Sequence, residues 1–515
     1  MPVLRLAIPS PLRRLFDYLP PVGMGDAEAD ALRPGQRLLV PFGPRRVTAY
    51  LVATSQDSEL PRATLKRAEA VLDTEPLVPA ALVQLCDWAA RYYHHPPGEV
   101  FAAAFAPALR EGKRHQAAGV PGWRLTARGA GLPPGALARS PRQAEALALL
   151  QSVPAASGAL FAERGITAAV LRELGTKGLV EKCTLPHSPT VAASRPGLAL
   201  NPEQAAALAA LRATGEGFSC HLLEGVTGAG KTEVYLQLIA DCLARGRQAL
   251  VLIPEIGLTP QTLDRFNRRF DAQIAVLHSG LGSAERYRSW EAARDGSAHI
   301  VIGTRSAIFT PLHAPGLIIV DEEHDGSYKQ QDGFRYSARD VAVKRGQLDA
   351  CLVVLGSATP SLESIHNVAA GRYQLHRLRQ RAGASVLPTL GTIDLRRQAL
   401  QAGLSGTLLD AIERRLAARQ QVLLFLNRRG YAPTLQCHDC GWVAECHSCD
   451  ARLTVHRRPG RLRCHHCGAV EVLPRQCPRC HSGSLLTAGL GTEQTEDFLR
   501  QRFGQWPVFR VDSDS

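Results

Sequence analysis

The stretch Leu222–Tyr235, LLEGVTGAGKTEVY, sets Gly225, Gly230, Lys231 and Thr232 in the spacing G-x-x-x-x-G-K-[ST], between an apolar run and a helix-like pattern. Glycines let backbone N–H groups curl around phosphate oxygens, and the N-terminus of the following helix adds a favourable field. Lys231 would neutralise the β- and γ-phosphates and Thr232 would ligate Mg²⁺. The expected nucleotide cradle is therefore Gly225, Val226, Thr227, Gly228, Ala229, Gly230, Lys231 and Thr232.

Working outward, Leu222–Glu224, Ala249–Pro254, Ile300–Gly303, Leu317–Val320 and Leu352–Leu355 are short Ile/Leu/Val-rich runs separated by helix-length segments. That texture predicts a mostly parallel sheet covered on both faces. One of these runs, LIIVDEEHD (Leu317–Asp325), delivers Asp321 and Glu322 at a strand's C-terminal end, where open α/β sheets place ligands. Asp321 would hold the Mg²⁺ and Glu322 would orient or deprotonate an attacking water.

With 515 residues the chain exceeds what one core usually supports, so several domains are expected. An N-terminal β-rich domain (1–107) is read from runs at Val3–Ile8, Gln36–Pro41 and Val47–Val52, with a helix over Leu77–Tyr93. Glu111–Gly122 reads as a linker, and Ala136–Val180 as helices leading into the helix-turn-strand order of a winged helix (108–198). The nucleotide-binding lobe would span 199–381, and 382–515 would hold a second, partial lobe with a helix at Ser405–Ala418 and strands at Val422–Leu426 and Val508–Val511. The N-terminus carries no signal-peptide pattern and no apolar run reaches membrane-spanning length, which gives a cytoplasmic expectation. Sixty Lys and Arg against 47 acidic residues, net +13, favour a polyanionic partner without naming one.

Just past the acidic strand, HDGSYKQQDGFRYSARD interleaves Tyr328, Phe334 and Tyr336 with Lys329, Arg335 and Arg339. Rings alternating with cations suit stacking on unpaired bases while neutralising phosphates. Eight of the 13 cysteines fall in four C-x-x-C pairs: Cys437/Cys440, Cys446/Cys449, Cys464/Cys467 and Cys477/Cys480. Each such turn offers two thiolates to one ion, so four pairs supply two tetrahedral Cys₄ zinc sites within a module at 435–482. Spacing leaves open which pairs share an ion. With complete cysteine sets, His438, His447, His465 and His466 are expected to be spectators, and the scattered Cys86, Cys183, Cys220, Cys242 and Cys351 to be buried apolar residues.

The D-E-x-H form, with further motifs in order, resembles superfamily 2 helicases: Gln204 in LNPEQ, IPEIGLTPQ (Ile253–Gln261), HSGLGSAER (His278–Arg286), GTRSAIF (Gly303–Phe309) and GSATPSLES (Gly356–Ser364). The resemblance implies that Gln204 reads adenine and that Arg305 contacts single-stranded DNA. Cysteine pairs inserted after LLFLNRRGY, with DEEHDGSYKQQ and the N-terminal FDYLPP, narrow it to the PriA family of bacterial replication-restart helicases (primosomal protein N-prime).

Membership would imply a multidomain α/β protein: a 3′ DNA-binding domain, a winged helix, a P-loop RecA-like lobe 1 and an incomplete lobe 2 carrying the two-zinc insert. It would further imply a 3′-end grip at Phe16, Asp17, Tyr18, Gly43 and Lys66, with one ion shared by the outer cysteine pairs and one by the inner pairs. ATP, Mg²⁺ and two Zn²⁺ are the implied cofactors. Forked and single-stranded DNA, PriB, DnaT, the replicative helicase with its loader and single-stranded DNA-binding protein are the implied partners, at nucleoid replication forks. The family's Q-x-x-G-R-x-G-R run, whose arginine stabilises γ-phosphate charge, is not in these 515 residues, so a C-terminal truncation is expected. That expectation leaves two readings: a 3′ to 5′ helicase, or a fork-binding primosome scaffold that hydrolyses ATP poorly.

Overall fold

The computed structural model describes residues 2–511, apart from 116–119, 134–135, 138–139, 186–192, 216, 382–388, 395–399, 426–433, 438, 450, 457–459, 465 and 489–491. The expectations for His438, His465 and most of LFLNRRGY thus lie outside the described residues. The chain forms two compact units, Met1–Ser385 and Val386–Ser515.

The first unit opens with an antiparallel sheet of β1 (Val3–Ala7), β2 (Phe16–Tyr18), β3 (Arg37–Phe42), β4 (Arg45–Ser55) and β5 (Ala70–Val71), in the order β2-β1-β4-β3-β5. A short helix α1 (Asp26–Asp30) is followed, after the sheet, by α2 (Ala80–Tyr92), α3 (Pro97–Ala103) and α4 (Pro107–Arg110). Arg37 is buried in β3 and pairs with Asp73, Nη2 to Oδ1 at 2.6 Å, while its Nη1 donates to the carbonyl of Leu109. One buried charge pair thereby ties the sheet to the helices that follow it.

The region expected to be a winged helix holds β6 (Val120–Leu125), α5 (Ala127–Ala130), α6 (Pro141–Ser152), β7 (Ala156–Ser157), α7 (Gly158–Glu163), α8 (Ala168–Thr176) and β8 (Val180–Leu185), with sheet order β7-β6-β8. The linker expectation for Glu111–Gly122 runs too far. Val120, Pro121 and Gly122 pair with Leu185, Thr184 and Cys183, because a strand returning at 180–185 satisfies their backbone groups.

β9 (Ala193–Ser194) enters the nucleotide lobe, pairing with β12 (Phe270–Asp271). The lobe then builds from α9 (Pro202–Arg212), β10 (Ser219–Gly225), α10 (Lys231–Ala244), β11 (Gln248–Leu252), α11 (Pro260–Arg269), β13 (Ile274–Leu277), α12 (Ser283–Asp295), β14 (Ile300–Gly303), β15 (Pro315–Val320), α13 (Ala338–Asp349), β16 (Leu352–Ser357), α14 (Leu362–Ala369) and β17 (Gln374–Leu378). Its seven strands are all parallel, ordered β13-β14-β11-β15-β16-β10-β17, and the central ones are buried along their length. Both faces are covered. One is packed against α9 and α10, and the other against α2, α3, α12 and α13. That second core is continuous with the N-terminal helices: Tyr50 stacks on Phe105 and Phe105 on Trp290, whose Nε1 donates to Ala104 O at 2.8 Å.

The second unit contains β18 (Leu400–Gln401), β19 (Leu404–Ser405), α15 (Gly406–Ala417), β20 (Thr434–Cys437), β21 (Thr454–His456), β22 (Arg461–Arg463), β23 (Val470–Val472), β24 (Leu485–Ala488) and α16 (Thr492–Arg502). Its sheets are β18-β19, β20-β24 and β21-β22-β23, all antiparallel. The strands expected at Val422–Leu426 and Val508–Val511 do not form among the described residues. An apolar run becomes a strand only beside a ladder partner, and here Leu423, Phe425, Phe509 and Val511 stay exposed. No described helix is long and apolar enough to cross a membrane.

Candidate nucleotide, DNA and metal sites

The phosphate loop connects β10 to α10, with Gly228 and Gly230 at φ +81° and +77°, where a side chain would be strained. Val226, Thr227 and Gly228 form its exposed tip, and Ala229 is buried beneath. Lys231 Nζ donates to Gly225 O at 3.0 Å and lies 3.7 Å from Glu322 Oε1. Gln204, in the first turn of α9, forms a capping box with Asn201 and donates from Nε2 to Ala229 O at 2.8 Å. Each end of its carboxamide makes one bond within the chain, so it braces the loop while keeping one donor and one acceptor position.

Thr232, Tyr235, Asp321 and Glu322 line one cleft of about 460 Å³ that continues past Pro254 and Gly257 to Arg265. A hydroxyl and two carboxylates are hard oxygen donors of the kind Mg²⁺ prefers, so these residues fit the ion. Burial, and then the neighbouring Glu322 charge, raise the Asp321 carboxyl above its ordinary range, while Tyr235 and Lys231 pull it down. Glu322 sits at φ +46°, a left-handed conformation that costs a non-glycine residue about 1 kcal/mol and turns its side chain into the cleft. His324 Nδ1 lies 2.7 Å from Ser357 Oγ, joining the acidic turn to the GSATPS segment. Tyr235 had no assigned role in the sequence. Its place one turn beyond Lys231, on the same helix face, is the signal that could have found it.

The ring-and-cation loop divides by burial. Tyr328 (2% exposed) donates to Asp321 O at 2.6 Å, and Tyr336 (5% exposed) packs edge-on to Phe309. Their rings brace the loop against lobe 1 and are not presented to bases, a distinction composition does not carry. Lys329 and Arg335 are exposed and Phe334 is half-buried against Tyr93 and Tyr336. Arg305 supports the loop from below, donating to Ser327 O at 2.9 Å. Arg339 points inward, to Ser361 Oγ at 2.7 Å.

In the N-terminal sheet the FDY strand, the β3–β4 turn and Lys66 converge. Phe16 meets Phe42 edge-on at 5.2 Å, Tyr18 donates to Pro41 O at 2.9 Å, and Leu19 N donates to Lys66 O at 2.8 Å. Gly43 turns the hairpin at φ +60°, exposed like the Lys66 side chain, and Asp17 accepts from Ser58 Oγ at 2.6 Å.

The eight clustered cysteines fall into two groups, Cys437, Cys440, Cys477, Cys480 and Cys446, Cys449, Cys464, Cys467, with sulfurs within 4.8 Å of one another in each. Neighbouring sulfurs such as Cys437/Cys480 and Cys449/Cys464 are 3.6 and 3.5 Å apart. A tetrahedral zinc with ligands at about 2.3 Å separates sulfurs by a little under 4 Å, so the groups fit the ion. Backbone N–H groups of Ser448 and Arg479 point at Cys446 and Cys477 Sγ, and Gly441 and Gly468 take the left-handed turn just after a pair. His447 bonds to Glu471 at 2.7 Å. Of the scattered cysteines all but the half-buried Cys183 are buried.

The parallel sheet, phosphate loop and acidic turn define a DEAD/DEAH box helicase domain, whose profile matches residues 201–368. Residues 5–106 match the PriA 3′ DNA-binding domain and residues 446–471 the Cys-rich region of PriA DNA helicase. The replication restart protein PriA of Haemophilus influenzae is 44% identical across 100% of this chain and 70% of its own length. That of Bacillus subtilis is 33% identical, across 98% of this chain and 71% of its own. The chain belongs to the replication restart protein PriA family, and is an ATP-dependent DNA helicase by class.

Proposed function

We propose that this chain is a 3′ to 5′ helicase that recognises stalled and D-loop forks by gripping the 3′ end of a nascent strand, and that it starts primosome assembly there. The observation that carries this reading is the convergence of Phe16, Asp17, Tyr18, Gly43 and Lys66 at one corner of a domain matching the PriA 3′ DNA-binding profile. Exposed Lys66 suits the terminal phosphodiester and the glycine turn leaves room for backbone to approach a sugar edge. Lys231 and the loop amides would hold the ATP phosphates, Asp321 and Thr232 the Mg²⁺, and Glu322 would orient the attacking water. Bound Mg²⁺ would supply charge neutralisation at the phosphates. Lys329, Arg335, Phe334 and Arg305 would follow single-stranded DNA.

The outer cysteine pairs would share one zinc and the inner pairs the other. The chain is read as 1–107, 108–198, 199–381 and 382–515, cytoplasmic, with PriB, DnaT, the replicative helicase and loader, and single-stranded DNA-binding protein as partners. Forks with a free or a phosphate-blocked 3′ leading end test the reading. The free end should bind about tenfold tighter, the size of a lost charge-assisted contact, and Asp17→Ala, which removes the carboxylate that would repel the blocking phosphate, should abolish the difference. Equal binding of both forks would overturn the grip, and unwinding only of 5′-tailed duplexes would overturn the polarity.

A further inference from the structure

The acidic turn at the end of β15 faces two ways. Asp321, Glu322 and His324 line the nucleotide cleft, whereas Glu323 turns back into the protein and is 1% exposed. Its backbone N–H donates to Gly356 O at 2.9 Å. Its carboxylate collects four donors: Ser361 N at 2.7 Å, Ser361 Oγ and Ser364 Oγ at 2.9 Å each, and Arg339 Nη1 at 3.4 Å.

These donors come from two other elements. Ser361 is the N-cap of α14 and ends the GSATPS segment, and its hydroxyl also receives Arg339 Nη1 at 2.7 Å. Arg339 lies in the first turn of α13, three residues beyond Tyr336, where the ring-and-cation loop ends. Each terminus of that loop is therefore anchored to the same turn. Tyr328 binds Asp321 O at its start, and Arg339 binds Glu323 at its end. A buried carboxylate with its donors in place has little freedom, since losing any one leaves charge unpaired in a dry site. A shift of the turn in the cleft must therefore pull α13 and α14 with it.

We propose that Glu323 is a positioning residue that carries the state of the nucleotide cleft to the loop at 326–337. It rests on the reading of the cleft as a nucleotide site, and it needs no assumption about the 3′-end grip. If Glu323 only caps α14, removing its charge would lower stability and leave the loop's response to nucleotide intact.

The test is hydrogen exchange of the full chain, with and without Mg²⁺ and ATPγS, read at loop amides 326–337 and at β8 as a remote control. Nucleotide should change loop exchange in the native chain. In Glu323→Gln that change should shrink about fivefold or more, the lower end of measured site-to-site couplings, with ATPγS affinity little altered and Tm lowered by the broken network. Ser364→Ala, which removes one donor, should give an intermediate loss and keeps the test open should Glu323→Gln fold poorly. A native loop that ignores bound ATPγS, or variants that respond as the native chain does, would overturn the proposal. So would a loss matched by an equal loss of ATPγS affinity. Binding of a fluorescent ATP analogue, measured separately, distinguishes a failed nucleotide site from a failed relay.

Discussion

Tyr235 donates its hydroxyl to Asp321 Oδ1 at 3.1 Å, and it fills the space that a Cβ on residue 356 would need. Helix α10, the acidic turn and β16 thus meet at one phenol. Replacing Gly356 with alanine should push Tyr235 off Asp321 and cut DNA-stimulated ATP hydrolysis by about 100-fold, the usual result of an ångström-scale misplacement. Tyr235→Phe removes the hydroxyl that collides, so the double variant should be faster than Gly356→Ala alone in the same assay.

Lys231 is the cation inside the phosphate loop, resting on Gly225 O at 3.0 Å. Lys231→Ala should lower kcat by roughly 10² to 10³ through lost stabilisation of developing phosphate charge. Fork binding measured by anisotropy should change less than about twofold, because no residue assigned to the 3′ grip touches it.

Zinc content discriminates the two ways of pairing the cysteines. Cys440 and Cys480 lie in one sulfur group, at opposite ends of the module sequence. Replacing both with serine should leave one tightly held zinc, close to half the native content by metal analysis. Sequential pairing would instead damage both sites, and both ions would be weakened.

A pH effect follows from His221, buried in β10 with Nδ1 at 2.9 Å from His376 Nε2. Burial, and then the neighbouring His376, lower its pKa from the ordinary 6.5 to about 4. The unfolded chain binds the proton more readily, so stability is full above pH 6.5 and falls as pH drops towards about 4. The loss should be seen as a falling Tm between those limits, and His221→Gln should make that acid limb shallower.

Much of lobe 1 was legible because phosphate binding and buried parallel strands leave residue-level demands: glycines at left-handed turns, and Ile/Val runs such as Ile300–Gly303. The cysteine groups were legible for the same reason, as thiolate chemistry dictates C-x-x-C. β17 escaped because Gln374, His376 and Arg377 make an edge strand look polar. The burial of Tyr328 and Tyr336 was invisible, since ring-and-cation composition is the same whether rings face solvent or core. Glu323 was hidden inside a motif whose other members face the cleft. The runs at 422–425 and 508–511 show the converse failure: apolar pattern without a partner makes no strand.

The column Tyr50, Phe105, Trp290 joins the N-terminal sheet to α12 of the motor lobe. Cutting the chain near residue 107 would not subtract a module. It would strip the cover from Trp290, Ala338 and Val341 and leave a sticky, half-dressed lobe. The N-terminal sheet and the helicase domain are therefore bound to a common inheritance: a substitution that loosens Phe105 is answerable at both, and neither could be exchanged without the other.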